Sequence, residues 1–286
     1  MFFAAAKLPV LFLATLRRAG SIALLAGVFS STALADFNYD DFSSLAGLQL
    51  NGNATQSGAA IQMTSAVGDD SSFFVLAPQA VDNSFTVTFN FTITDPQFIG
   101  GSGPNGADGL ALVIQNDPGG ASALGGGGSN LGYGYGGPGQ PAIQNSVAFG
   151  VVTYSTDAFE LFANAGNSTY TTNPPLASGS TFGDITDTSN VIAFMYNDST
   201  QSVNISMNGV SVLSYGLGAS LSSLVGGGTA LIGITGGTGD GSSTQVINNI
   251  SMVPEPAAYA VSVASVCGVL GLCGSRHRLR RPKALL

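Results

Sequence analysis

Between residues 36 and 252 the chain has no lysine, arginine, histidine, cysteine or tryptophan. All 8 basic residues stand at the ends: Lys7, Arg17 and Arg18, then Arg276, Arg278, Arg280, Arg281 and Lys283. The one histidine is His277, and the 2 cysteines are Cys267 and Cys273. The same central stretch holds every acid except Glu255, and the whole chain carries a formal net charge of -8. A body without cations cannot displace counterions from a phosphate backbone, which excludes nucleic acid as a partner. It also lacks the parts for most catalysis: no triad histidine, no thiolate, no Schiff-base lysine and no imidazole metal ligand. Only carboxylate chemistry is left. A glycosidase needs two facing carboxylates with separated pKa values, and the body has a single glutamate, Glu160, with no paired acids along one strand. The composition therefore argues against an enzyme and leaves an aspartate pair as the one route to hydrolysis.

Helical amphipathic spacing is missing too, and strand patterns take its place. Phe85, Val87, Phe89, Phe91 and Ile93 alternate with Thr86, Thr88, Asn90, Thr92 and Thr94, the signature of a strand with one buried and one wet face. Leu110 to Ile114 is a continuous apolar run, short enough for a strand covered on both sides. Val191 to Tyr196, Val203 to Met207 and Val210 to Leu213 read as a meander, with Asn208-Gly209 as a hairpin turn. Ser220 to Val225 is expected to form one short helical turn, and Thr169 to Thr181 a polar connection. Val246 to Met252 closes the domain near its first strand, which starts at Phe37. The fold class is all-β, and roughly 215 residues suffice for one substantial core.

The ends carry processing signals. Residues 1–35 read as a secretory signal peptide, expected to be helical: Lys7, Arg17 and Arg18 precede the apolar run Ala19 to Phe29, and Ala33-Leu34-Ala35 gives the small-residue cleavage pattern. A short membrane anchor is the alternative. At the other end, Val253-Pro254-Glu255-Pro256 is followed by an apolar run, Ala257 to Cys273, expected as a hydrophobic helix, and by the basic cluster Arg276 to Lys283. Positive-inside bias leaves that cluster in the cytoplasm and the body outside. Motif, span and basic end together resemble the PEP-CTERM sorting signal of exopolysaccharide-producing bacteria. That resemblance implies transient membrane contact through 257–273 and cleavage near Pro254, Glu255 and Pro256 by an exosortase-type sorting protease, leaving the body at the cell surface or outside the cell. The organisation is then signal (1–35), domain (36–252) and sorting signal (253–286).

The candidate site begins with Asn105-Gly-Ala-Asp-Gly109, a glycine-flanked turn that sets Asp108 at the mouth of a core strand. A carboxylate fixed there is a strong acceptor for a polar ligand. A stretch dense in glycine, Asp117 to Gly139, follows. Its backbone amides are candidates to approach a ligand closely, with Tyr133 and Tyr135 as flat faces for a sugar ring.

These motifs, with Asn145 to Tyr154 and Ala230 to Gly239, occur in an order that resembles the L-type (legume-type) lectin domain over Phe37 to Met252. The resemblance implies a concanavalin-like jelly-roll sandwich of two antiparallel sheets, with a monosaccharide held by loops at one end. In that family an aspartate at the place of Asp108, an amide near Gly127 and Gly128 and a calcium-held asparagine grip the sugar. The family's metal strand carries acids at the places of Gly150 and Val152 and its asparagine at Thr156, and none of the three is present here. The expected site is therefore Asp108, Gly127, Gly128, Tyr135, Thr156 and Thr238 with no metal and no cofactor, calcium having lost its family ligands. The expected partner is a glycan or polysaccharide of the matrix, bound weakly. A structural matrix protein without sugar binding is the alternative, and a carboxylate glycosidase a more distant one.

Overall fold

The computed structural model describes residues 36–97, 104–154, 157–164 and 174–255. The expected signal segment, Pro256, the apolar run and the basic end lie outside them. Along the chain come β1 (Phe37–Tyr39), β2 (Leu48–Gly52), β3 (Thr55–Ser57), β4 (Ala60–Thr64), β5 (Asp70–Val75), β6 (Gln79–Ala80), β7 (Phe85–Gln97) and β8 (Gly109–Gln115). After the glycine-rich stretch follow β9 (Ser146–Val152), β10 (Ala158–Ala163), β11 (Ala177–Thr181), β12 (Asn190–Asn197), β13 (Ser202–Met207) and β14 (Val210–Gly216). A single-turn helix, α1 (Leu221–Leu224), leads to β15 (Thr229–Gly237) and β16 (Ser242–Pro254).

The strands pair into two antiparallel sheets. One has the order β14-β13-β12-β7-β16-β4-β3 with β1 beside β16, and the other β11-β10-β9-β8-β15-β5-β2 with β6 beside β15. Sequence alternation explains the layering. In β7 the residues Phe85, Val87, Phe89, Phe91 and Ile93 are buried while the threonines and Asn90 between them are half-exposed. They meet Leu110, Leu112 and Ile114 of β8 and Val147, Phe149 and Val151 of β9 in one core between the sheets.

β8 is buried along its whole length because a second cluster covers its other face. Ala111, Val113, Ala148, Val152, Phe74 and Phe162 point away from the main core and are capped by Leu131, Tyr133 and Ile143 of the glycine-rich stretch. That stretch is a packed lid. Tyr133, expected as a face for a sugar ring, is 1 % exposed and its hydroxyl is hydrogen-bonded to that of Ser146 at 2.9 Å.

Asn208 and Gly209 both take positive φ (51° and 79°) between β13 and β14, as a two-residue hairpin requires. Ser220 caps the helical turn by accepting from the amide of Ser223. Thr169 to Thr181, expected as a connection, instead supplies β11 at a sheet edge. Its sequence, Ala-Ser-Gly-Ser-Thr, has no alternation to reveal it, because an edge strand with mostly exposed side chains needs none. β16 continues past Met252, pairing Val253 with Thr86 and Pro254 with Phe85.

Candidate carbohydrate site

Asp108 sits where three loops converge. Its amide donates to the carbonyl of Gly237 at 3.1 Å, and its own carbonyl accepts from Thr153 at 2.9 Å and Tyr154 at 3.4 Å, so the residue is fastened between β15 and β9. The peptide between Ala107 and Asp108 is cis. Gly109 has φ +130°, and a Cβ there would stand 2.1 Å from the carbonyl oxygen of Val151. Only glycine permits that approach. Asn105, fully buried, locks the start of the turn: its Nδ2 donates to Asp157 Oδ1 (2.8 Å) and the carbonyl of Gly183 (3.0 Å), and its Oδ1 accepts from the amide of Ile185 (2.8 Å).

A cavity of about 340 Å³ opens beside Asp108. Its walls are Gly127 to Asn130 of the glycine-rich lid, Tyr154 after β9, and Gly239, Asp240 and Gly241 between β15 and β16. Asp108 is 4 % exposed; the Gly239 amide donates to its carboxyl, and Oδ2 has no partner. Burial, with the nearby charge of Asp240 adding to it and the Gly239 hydrogen bond opposing it, raises its pKa from 3.8 to about 6. An unpartnered, desolvated carboxylate oxygen is costly to leave alone.

The expected site residues divide. Asp108, Gly127 and Gly128 line this one cavity. The Gly128 amide, however, donates to the carbonyl of Thr238 at 2.8 Å, so it holds the lid in place. Thr238 lies behind the cavity wall. It is 1 % exposed, and its hydroxyl accepts from the Asp69 amide at 2.9 Å and donates to the carbonyl of Ala66. Asp69 fixes the same turn through Oδ2, which accepts from the amides of Ser65 (2.8 Å) and Ala66 (2.9 Å). Tyr135 is 57 % exposed and is not part of the cavity wall. Thr156 lies outside the described residues.

Sequence reasoning passed over Asn105, Ser129, Asn130, Tyr154, Gly239 and Asp240. Only Asp240, an acid in a glycine-rich loop between two strands, carried a usable signal.

At Gly150 and Val152 the setting is apolar: a Cβ on Gly150 would meet Phe162 Cε2 at 2.9 Å and Leu131 Cδ1 at 3.2 Å. The opposite strand places Glu160 beside Gly150. Glu160 is 5 % exposed, Oε2 has no partner, and burial pushes its pKa up to about 7. Among the described residues no three Asp, Glu, His or Cys side chains gather to hold a metal ion.

Comparison with solved structures places this architecture. The chain superposes on the lectin from Bauhinia forficata in complex with GalNAc, with a TM-score of 0.59 and 20 % identity over 77 % of this chain and 97 % of that one. The fold is that of the legume lectins. Arcelin-5, a lectin-like defense protein from Phaseolus vulgaris, gives a TM-score of 0.60 at 18 % identity, covering 76 % and 96 %. The metal-free form of lectin I-B4 from Griffonia simplicifolia gives 0.61 at 18 %, covering 77 % and 99 %. No family model and no curated protein sequence matches the chain.

Proposed function

We propose that this chain is an exported, non-enzymatic, lectin-like protein that binds carbohydrate through the cavity beside Asp108 and works at the cell surface or in an exopolysaccharide matrix. The observation that carries the reading is the unpartnered Oδ2 of a buried Asp108 at a cavity walled by Gly127, Gly128 and Gly239. A fixed carboxylate accepts two hydroxyl hydrogen bonds, and glycine walls allow a flat ring to come close. The size of the cavity suits one sugar residue, held by few groups and without calcium. Affinity in the millimolar range, about 4 kcal/mol, is expected.

Export, processing at Pro254, Glu255 and Pro256 by an exosortase-type protease, and passing membrane contact through 257–273 rest on the sequence pattern of the ends. The enzyme reading keeps one point in its favour, since Asp108 and Asp240 line the same cavity. Against it, hydrolysis needs two carboxylates with separated pKa values flanking the bond, and the body has a single glutamate, Glu160, which does not line this cavity.

A glycan-array screen of the wild type beside Asp108→Ala tests the proposal. Specific retention that disappears in the variant supports the lectin. No retention on any glycan, by a protein that melts cooperatively, supports the structural matrix protein, and release of reducing ends from a retained glycan supports the glycosidase.

A further inference from the structure

The cavity holds two carboxylates and no cation, with Ser129, Asn130 and Tyr154 as its neutral polar side chains. Asp108 and Asp240 both line it, while the Gly128 amide is engaged by Thr238 and the Gly239 amide by Asp108. No cation of residues 36–252 exists to balance the two carboxylates. Asp240 is exposed, but Asp108 is buried with Oδ2 unpartnered. A neutral sugar would satisfy Oδ2 with one hydroxyl and then cover an uncompensated charge, which is unfavourable in proportion to how well it excludes water. An ammonium group brings three donors, no acceptor and the missing countercharge. The acidic body adds a long-range field that concentrates polycations and repels polymers of uronic or sulfated sugars.

We propose that the ligand class of this cavity is an amino sugar with a free, protonated amine, as in a partly de-N-acetylated polysaccharide, its ammonium seated between Asp108 and Asp240. This rests on the glycan-binding reading above and narrows it to a cationic glycan.

The test compares full-length protein binding to a glucosamine tetramer and to the N-acetylglucosamine tetramer by calorimetry at neutral pH and low salt. The deacetylated tetramer binds about tenfold more tightly, the worth of one charge-assisted pair, and the ratio shrinks as salt is raised. Asp240→Asn, at an exposed position, lowers the ratio towards one, and Asp108→Asn weakens both ligands. Equal affinity for the two tetramers, or no binding of either, overturns the amine assignment and leaves the glycan reading to the array. A preference that persists in Asp240→Asn and Asp108→Asn places the amine on the general acidic surface and also overturns the assignment. So does millimolar calcium that displaces the deacetylated tetramer and itself binds less well to Asp240→Asn, since the cavity would then be a metal site.

Discussion

A methyl group on Gly239 would stand 3.1 Å from Asp108 Oδ2 and 3.4 Å from the Cα of Gly128. The bare backbone of one loop thus keeps open the space in front of the acceptor that another loop supplies. Gly239→Ala is expected to narrow that space with little effect on the fold. Glycan affinity should fall about tenfold while the melting temperature moves by only a few degrees, as for a substitution outside the core. Undiminished binding in a titration of Gly239→Ala would show that the ligand sits elsewhere.

Protonation of Asp108 sets a second expectation. Burial raises its pKa to about 6, and a ligand that donates to Oδ2 prefers the ionised form. Binding should therefore be at full strength well above pH 6 and weaken as the pH falls through that value, approaching a tenfold loss per unit below it. Affinities measured at several pH values from about 5 to about 8 check this. A flat profile would mean that Asp108 is not the acceptor.

Glu160 makes the opposite kind of contribution. Its folded pKa of about 7 exceeds the ordinary 4.5, so folding favours the protonated form. No penalty exists below pH 4.5; it grows as the pH rises between the two values and levels off above about 7, at about 3 kcal/mol. Glu160→Gln should raise stability at pH 8 by 1 to 3 kcal/mol, roughly, and remove the upper part of the alkaline decline. Urea unfolding at pH 4 and pH 8 measures both effects, and a variant less stable than wild type at pH 8 would point to an undetected partner for the carboxylate.

Asn105 ties the Asp108 turn to residues 183–185 and to Asp157 through three hydrogen bonds. Asn105→Ala strands several buried groups and should destabilise the domain by about 3 kcal/mol. It should also weaken glycan binding beyond what the change in folded fraction explains, because the turn is then free to shift. A loss below about 0.5 kcal/mol in urea unfolding would contradict this role.

Much of the layering was readable from residue order alone. The alternation at Phe85 to Thr94, the apolar run before Gln115 and the Asn208-Gly209 turn each constrain the backbone locally, and all appear where expected. The site was readable in part. Asp108 stood out because a charged residue beside a core strand is unusual in itself, whereas Gly127 and Gly128 were singled out within the glycine-rich stretch only by the resemblance to the lectin domain; all three line the cavity. Thr238 and Tyr133 could not be placed: a hydroxyl looks the same in sequence whether it faces a sugar or bonds to Ala66, and an aromatic ring among glycines looks the same whether it lies against a ligand or packs at a tilt on Phe162. Those distinctions depend on contacts far apart along the chain, such as Thr238 with Asp69.

Strand β16 sets how far the cavity lies from both ends of the described domain. It starts at Ser242, next to Gly241 of the cavity wall, and runs 13 residues to Pro254, with Phe37 of β1 paired to Met252 near its far end. At about 3.3 Å per residue the two ends of that strand are about 40 Å apart. Phe37 and Glu255, near the two ends of the described domain, therefore both lie at the end of the sheet away from Asp108, so that a tether attached through either would leave the cavity at the free end.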